Sequence, residues 1–395
     1  MKFPDTVVIT KPVMEIARKL EGAGFEAWCV GGSLRDLLLG HAHSDYDIAT
    51  SATPEQVRKL FPRTIGVGIR YGTVGVLDRT RQLHEVTTFR RDVATDGRHA
   101  VVAYGVSLEE DLARRDFTIN AIAYHPIRQE WRDPFHGAAD LEHRLVRAVG
   151  DPSERFQEDY LRILRAVRFA ARFGFEIDPR TWEAARAAAP GLAQLSAERV
   201  RDEWFKSLRT AQSLSRLVEL WRSVGAARVW IPELERGPSE VSAAGDAPAE
   251  PRDPVVLTAL LCSDPSAVLR RLKASNAEID RAVALERGPA APTGADARPV
   301  RHWLAKVGPA ADDLAQLWTL RHGAAPAWSG AVEEARRRGD PLTRSDLAIT
   351  GAELQRLGAS GPRVGQTLGQ LLDQVLDDPS LNTRDRLLDL ARKLL

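Results

Sequence analysis

The sequence predicts an α+β fold, in which a head with a mixed β-sheet precedes an all-helical remainder. Two observations predict it. Over the first 150 residues short strand-like runs alternate with short helical runs, and from about residue 151 one helical period follows another. The chain has 395 residues, of which 44% are hydrophobic, so it is long enough to bury two or more cores. We expect three parts, at 1–150, 151–210 and 211–395.

Short apolar runs in the first part predict its strands. They are EAWCV (26–30), DYDIAT (45–50), GTVGVLD (72–78) and HEVTTFR (84–90). A polar turn separates the last two, so these two predict a hairpin. The glycines of IGVGIRYGTVGV do not fit a dinucleotide-binding fingerprint. We interpret Gly66, Gly68 and Gly72 as turn and close-packing positions.

Helices are predicted between these strands. SLRDLLLG predicts a helix that ends at Gly40, and TPEQVRKLF predicts one that Thr53 caps and that has Pro54 in its first turn. The segment 90–106 is polar and too long for a tight turn, so we expect a mobile loop there. After residue 151 the chain is expected to be helical, with surface linkers at 236–254 and 288–299.

Composition narrows the classes of function. The net charge of +1 balances 55 basic against 54 acidic residues, and because phosphate binding depends on local charge, it does not exclude a nucleic-acid partner. Cys29 and Cys262 are far apart and have no Cys or His at metal-ligand spacing, so we expect buried thiols. The start lacks an uninterrupted apolar region and nowhere do eighteen apolar residues run together, which predicts a cytoplasmic protein with no membrane partner.

The stretch GGSLRDLLLGHAHSDYDIAT (31–50) concentrates charge beside apolar strands. In a strand, Asp45 and Asp47 would project from one face, and two carboxylates so close favour a cation between them. Mg²⁺ is the hard cation that carboxylates and substrate phosphates bind together. The alternative is a pair of loop aspartates that cap the next turn.

The neighbouring residues extend this interpretation. Gly31 and Gly32 lie between a strand and a helix, where backbone N–H groups can hold phosphate oxygens, and Arg35 lies one turn further on. Glu85 alternates with Thr87 on a neighbouring strand and could supply a third carboxylate; an edge-strand glutamate that faces water is the alternative. Together these features describe two-metal nucleotidyl transfer.

Several motifs, in order and spacing, resemble those of the bacterial class II CCA-adding enzymes. They are GGSLRD with DYDIATSATPEQV, EVTTFR, SLEEDLARRDFTINAIAY, DPFHGAADL and ERFQEDYLRILRAVRF. This family of tRNA nucleotidyltransferases and poly(A) polymerases belongs to the polymerase-β-like nucleotidyltransferase superfamily. The resemblance is dense over residues 24 to about 210. It implies a polymerase-β-like catalytic head at 1–150, a nucleobase-recognising helical neck at 151–210, and a helical, tRNA-binding body and tail at 211–395.

The stretch EDYLRILRAVRF suggests how a base could be selected. On a helix, Asp159, Arg162, Arg165 and Arg168 would form a charged stripe, which faces either a cleft or water. Cytosine and adenine both present an amine donor beside a ring-nitrogen acceptor, whereas uracil and guanine present a carbonyl beside an N–H. A fixed carboxylate and guanidinium would therefore accept C and A.

The resemblance implies the same roles for Asp159 and Arg162, with Arg165 and Arg168 behind them near the base or phosphates. It also implies that Arg115 contacts the incoming nucleotide, while Asp116 and Asn120 hold the ribose or the local fold. The loop at 90–106 accompanies the switch from adding C to adding A in this family, so its presence favours A-addition.

The implied activity is Mg²⁺-dependent, template-independent addition of CCA from CTP and ATP to the 3′ end of tRNA, which the enzyme holds along its acceptor and T-arm half. Asp45 and Asp47 would hold the metals, Glu85 would be the third catalytic carboxylate, and Gly32 and Arg35 would hold the triphosphate. Alternatives are a CC-adding or A-adding enzyme, a poly(A) polymerase, whose usual Gly-Arg-Arg signature is missing here, and an RNA-binding relative without catalysis.

Overall fold

In a computed structural model, the chain is described over residues 2–41, 46–68, 72–95, 100–236, 241–247 and 249–395. It divides into two compact units, Met1–Glu235 and Arg236–Leu395. Asp45 and residues 96–99 of the predicted loop lie outside the described residues. The predicted divisions at residues 150 and 210 stay predictions.

The first unit begins with the head. Its strands are β1 (Ala27–Val30), β2 (Asp47–Thr50), β3 (Thr64–Gly68), β4 (Thr73–Leu77), β5 (Leu83–Thr88), β6 (Arg90–Thr95), β7 (Ala100–Tyr104), β8 (Ala123–His125), β9 (Glu130–Arg132), β10 (Leu145–Val146) and β11 (Glu176–Ile177). Its helices up to the neck are α1 (Lys11–Gly22), α2 (Gly32–Leu38), α3 (Pro54–Leu60), α4 (Leu108–Ala113) and α5 (Gly137–Glu142), with a 3₁₀ turn at Thr118–Asn120.

A mixed sheet with the strand order β3-β4-β5-β2-β1-β8-β9 forms the centre of the head. Strands β2 and β5 are parallel and the other neighbours are antiparallel. This confirms the predicted mixed sheet and the hairpin of β4 and β5. The side chains alternate between two cores: Cys29 and Ile48 pack under α1 and α3, while Trp28 and Ala49 pack on the other face with Leu112 of α4.

The local signals for the first helices are confirmed. Thr53 caps α3 in a reciprocal capping box with Gln56. Helix α2 ends at Leu38, and Gly40 follows it with a positive φ of 82°. Such a φ suits glycine because it has no Cβ.

Two expectations for the head are wrong. Gly66 and Gly68 lie in strand β3, which pairs antiparallel with β4, rather than in turns. Strand β3 escaped prediction because it contains two glycines and its exposed side chains do not alternate with buried ones. The segment 90–106, expected to be a mobile loop, instead contains β6 and β7, which pair antiparallel.

Helices make up most of the remainder of the first unit. They are α6 (Pro152–Glu158), α7 (Leu161–Phe173), α8 (Pro179–Ala188), α9 (Ala197–Thr210), α10 (Leu214–Ser223) and α11 (Ala226–Trp230), with 3₁₀ turns at Ala189–Gln194 and Pro232–Arg236. The predicted single stripe is wrong at its first member. Asp159 is extended, with φ −157° and ψ 104°, and separates α6 from α7.

The second unit is helical over its described residues. Its helices are α12 (Ala243–Asp246), α13 (Pro254–Leu261), α14 (Pro265–Arg271), α15 (Asn276–Arg287), α16 (Ala297–Val307), α17 (Ala310–His322), α18 (Ser329–Arg338), α19 (Gly351–Arg356), α20 (Pro362–Asp377) and α21 (Arg384–Leu394), with 3₁₀ turns at Arg344–Asp346 and Pro379–Leu381. Trp303 and Trp328 centre one core, and Leu371 and Leu387 lie in another. Over the described ranges, no helix is long and apolar enough to cross a membrane.

Candidate active site

A cavity of about 640 Å³ opens on one face of the head sheet. Each predicted site residue that the structure describes lines it, namely Gly32, Arg35, Asp47, Glu85, Arg115, Asp159, Arg162, Arg165 and Arg168. These residues come from β2, β5, α2, α7 and the connections that follow α4 and α6, so the fold gathers positions more than a hundred residues apart.

The acidic side of the cavity, formed by Asp47 and Glu85, rests on two neighbouring parallel strands. The register pairs Ile48 with Val86, so the residue before each lies on the opposite, cavity-facing side of the sheet. Both Asp47 and Glu85 are exposed, while Ile48 and Val86 are buried in the core. Strand pairing therefore places two carboxylates in the same cavity.

A glycine turn joins β1 to α2 beside Asp47. Gly31 has a φ of 83°, and a Cβ placed there would lie 2.9 Å from Nη1 of Arg115 and 4.0 Å from Oδ2 of Asp47. Because a side chain would fill the space between that guanidinium and that carboxylate, glycine keeps it open. Gly32 begins α2 and its backbone borders the same cavity.

Arg35 is buried at the base of the cavity. Its Nε and Nη2 donate to Oδ1 of Asp36, at 2.9 and 2.7 Å, and Nη1 donates to Oδ1 of Asn120. The guanidinium also lies 4.9 Å from the ring centroids of Phe169 and Phe173. Burial lowers the pKa of Arg35, and the Asp36 charge opposes that shift. Arg35 therefore ties the head to α7 as well as lining the cavity.

The carboxylate of Asp116 accepts hydrogen bonds from several neighbouring groups. Its Oδ1 accepts from the backbone N–H of Phe117 and from Nδ2 of Asn120, and its Oδ2 accepts from Nε of Arg165 at 2.7 Å. Burial raises the pKa of Asp116, but the Arg165 charge and these hydrogen bonds outweigh it and hold that pKa below its ordinary value. The same carboxylate raises the pKa of Arg165.

Arg115 stands at the boundary between the acidic side and this network. Burial lowers its pKa, and Asp111 and Asp47 oppose the shift. Its Nη1 donates to the backbone oxygen of Asn120, at 3.3 Å, while its buried Nε has no hydrogen-bond partner within the protein. A buried N–H in that state favours an acceptor from a ligand.

Asp159 and Arg162 are held side by side by different elements. Oδ1 of Asp159 accepts from the N–H of Leu161, so this carboxylate caps α7, and Oδ2 accepts from Nη2 of Arg199 at 2.7 Å. Arg162 donates through Nη1 to Glu158 and through Nη2 to the backbone oxygen of Arg114. Each carboxylate oxygen has two lone pairs and a guanidinium has five N–H groups, so both retain capacity for a base.

Sequence reasoning missed the partners that hold these groups. Arg199 lies on α9, forty residues after Asp159, and Glu203 on the same helix accepts from Nε of Arg168 at 2.7 Å. Arg172 donates to Asp36 at 2.9 Å. These contacts are tertiary, and the only local signal for them was the spacing of charges on α9.

The carboxylates of this cavity suit a bound cation, and its arginines suit a bound anion. We call Arg35, Arg115, Arg162, Arg165, Arg168 and Arg172 the basic wall; these arginines line the same cavity as the acidic side. Among the described residues, no group of three or more His, Cys, Asp and Glu side chains is placed to hold a metal ion. Asp45, which is predicted to hold metal, lies outside the described residues.

Family comparisons agree with this geometry. The family model described as the poly A polymerase head domain matches residues 27–147, and the one described as a probable RNA and SrmB-binding site of polymerase A matches 174–237. The crystal structure of the Bacillus stearothermophilus CCA-adding enzyme in complex with CTP is 33% identical, with a TM-score of 0.82 over 97% of this chain and 98% of that one. The chain belongs to the CCA-adding enzyme family.

Curated members of the family match about half of the chain. The CCA-adding enzyme of Streptococcus mutans is 50% identical over 200 residues, which is 50% of this chain and 49% of that protein. That of Leuconostoc mesenteroides is 47% identical over 214 residues, 54% and 52% of the two chains. The matched part therefore spans about half the length of these curated relatives. The predicted family and fold class are confirmed.

Proposed function

We propose that this chain adds C, C and A in turn to the 3′ end of tRNA, with CTP and ATP as substrates and pyrophosphate as the released product. The tRNA 3′ oxygen forms a bond to the α-phosphorus, the bond from that phosphorus to the bridging oxygen breaks, and the hydroxyl proton is lost. The observation that carries the proposal is a single cavity that is lined both by two exposed carboxylates and by the arginines of the basic wall.

Mg²⁺ fits the acidic side. Two carboxylates from adjacent strands are hard oxygen ligands, and the turn at Gly31 leaves space next to Oδ2 of Asp47. We assign Asp45 and Asp47 as the metal-holding residues and Glu85 as the third carboxylate. When bound, the ions supply activation of the attacking hydroxyl and charge neutralisation at the triphosphate.

The basic wall supplies the nucleotide contacts. Arg115 has a buried N–H without a protein partner, which suits a phosphate oxygen, and the backbone at Gly32 faces the same space. Arg165 and Arg168 are fixed by Asp116 and Glu203, so their positive charges are in place before a nucleotide arrives. Preorganised charge of this kind costs no rearrangement during the reaction.

Base selection falls to Asp159 and Arg162. The carboxylate would accept from the exocyclic amine of C or A, and a guanidinium N–H would donate to the adjacent ring nitrogen. Because Asp159 is clamped by Leu161 and Arg199, it cannot readily turn to suit a carbonyl. UTP and GTP would leave these half-buried groups mismatched, which is an effective means of rejection.

The tRNA partner follows from the same proposal. We assign the helical body and tail to the acceptor and T-arm half of tRNA, recognised mainly by shape and phosphate contacts, so binding should weaken steeply with salt. The cytoplasm is the proposed location, where the buried thiols Cys29 and Cys262 would stay reduced.

The test is the product formed on a tRNA that ends at its discriminator base, with Mg²⁺ and each nucleotide supplied alone and together. Full CCA addition predicts two additions with CTP alone and three with both nucleotides. Growth that stops at CC with both nucleotides present would assign a CC-adding enzyme. Addition of A only to tRNA that already ends in CC would assign an A-adding enzyme, and a long A tail a poly(A) polymerase. No incorporation would leave only RNA binding.

A further inference from the structure

Three large aliphatic side chains are exposed on the head sheet close to the acidic side. Ile65, Val67 and Leu83 have 50%, 45% and 37% of their surfaces accessible. We call them the aliphatic patch. Val67 and Leu83 meet over Gly75 of β4, where a Cβ would lie 2.5 Å from Cδ1 of Leu83 and 2.7 Å from Cγ2 of Val67, and Ile65 of β3 pairs directly with Gly75. Because Gly75 has no side chain, side chains of β3 and β5 form one continuous apolar surface across β4.

The patch lies on the same face of the sheet as the acidic side. Gly75 pairs directly with Glu85, and Ile65 pairs directly with Gly75, so these positions share one side of β3, β4 and β5. On β5, Leu83 and Glu85 alternate with buried His84 and Val86. Apolar surface therefore begins at the residue that flanks the predicted third carboxylate.

Strand order sets a direction across this face. From one side to the other come Gly31 at the end of β1, Asp47 on β2, Glu85 on β5, Gly75 on β4 and Ile65 on β3. Arg115 and Arg35 of the basic wall lie beside Gly31 and Gly32, which follow β1, and there they would hold the anionic pyrophosphate as it leaves. In an in-line displacement the attacking oxygen approaches opposite the leaving group, so the RNA end comes from the β3 side.

We infer that the aliphatic patch is the platform for the 3′-terminal nucleotide of the acceptor RNA. The inference rests on the proposed function and adds the position of the second substrate. Two strand spacings of about 4.8 Å give a width close to that of one nucleoside. An aliphatic surface contacts the face of any base or ribose without a hydrogen-bond code. That suits an enzyme whose acceptor ends first in a discriminator base and then in C.

Kinetics of a double variant test the platform. Ile65→Thr with Leu83→Thr places a β-branched side chain, which suits a strand, at both positions but removes apolar surface. We expect the KM for acceptor RNA to rise about tenfold, from the loss of several buried methyl groups, while the KM for CTP stays within about twofold. The matched control is Ile127→Thr, which removes an exposed isoleucine from the β8–β9 turn of the same unit. An unchanged KM for RNA in the double variant would overturn the inference.

A binding readout separates this inference from the proposed activity. An RNA minihelix carries 2-aminopurine as its 3′-terminal nucleotide, and its fluorescence is followed on titration with protein, without CTP or ATP. We expect the parent and Ile127→Thr to change the fluorescence and the double variant to lose most of that change. A change that is equal in all three proteins overturns the platform. If the parent gives the change yet incorporates nothing, the proposed function fails and the platform stands.

Acceptor identity and self-association give two further outcomes. The rise in KM should be equal for RNA that ends at the discriminator base and RNA that ends in C, and a rise for only one of them would contradict a platform without a code. Since β3 is an edge strand, a second copy of the chain is the competing occupant. A double variant that changes sedimentation but not the KM for RNA would assign the patch to self-association and overturn the inference.

Discussion

The two sides of the cavity are built in opposite ways. In the basic wall, arginines are buried or half-buried and paired with carboxylates, as in Arg168 with Glu203 and Arg165 with Asp116. On the acidic side, Asp47 and Glu85 are exposed and lie on the adjacent parallel strands β2 and β5. Groups proposed to position a nucleotide are fixed in advance by their ion pairs, whereas groups proposed to bind a cation are accessible to it.

The largest expected effect is on the acidic side. Asp47→Asn keeps the size of an exposed side chain, so the fold should remain, but it removes a charge proposed to hold metal. We expect incorporation to fall on the order of a thousandfold. Single-turnover addition of labelled CTP measures it. Asp202→Asn, another exposed aspartate of the same unit, is the matched control, and equal rates in the two variants would contradict the assignment.

In the basic wall, removing an ion-pair partner is expected to lower the free energy of unfolding. Glu203→Leu leaves Arg168 buried without its partner, and breaking a buried ion pair costs about 3–5 kcal/mol. Urea unfolding measures the loss in the free energy of unfolding. The double variant Glu203→Leu with Arg168→Met should recover much of it, because both charges are then absent. A double variant as unstable as the single one would mean that packing, rather than the unpaired charge, dominates.

An intermediate effect is expected at Asp159 and Arg162, the pair proposed to select the base. Asp159→Ala removes the acceptor proposed for the amine of C and A, so the ratio of kcat/KM for CTP to that for UTP should fall about a hundredfold. Competition between CTP and UTP on one tRNA acceptor measures the ratio. Unchanged base choice would show that Asp159 acts only as the cap of α7.

The smallest effect is expected at Arg199, which acts through Asp159. Arg199→Met removes the clamp on Oδ2 of Asp159 and should lower the CTP-to-UTP preference about tenfold, with kcat for CTP nearly unchanged. Arg199→Lys should restore part of the preference because it keeps the charge. An equal loss of kcat for every nucleotide would indicate a general structural role and contradict the positioning role.

Much of the head could be predicted because local signals set it. The capping box at Thr53, the positive φ after α2 and the alternation in β5 all act within a few residues. Strand β3 was missed because it contains two glycines and its exposed side chains do not alternate with buried ones. The break at Asp159 was missed because the charges around it keep helical spacing while the carboxylate caps the next helix.

The candidate site was predicted only in part, for a similar reason. Asp47, Glu85 and Arg162 stand in short motifs whose spacing carries chemistry. Arg199 and Glu203 stand on a helix of ordinary charge pattern, and only the tertiary packing of α9 against α7 gives them partners. Residues whose role is to position another side chain are not marked by a recognisable motif in a single sequence.

The most direct test of the two-sided cavity is a crystal structure with Mg²⁺ and a CTP analogue that cannot transfer its nucleotide. The account predicts a metal ion on Asp47, the triphosphate against Arg115, and the amine of cytosine within hydrogen-bond distance of Asp159. A nucleotide bound elsewhere, or bound here with its base away from Asp159 and Arg162, would contradict it.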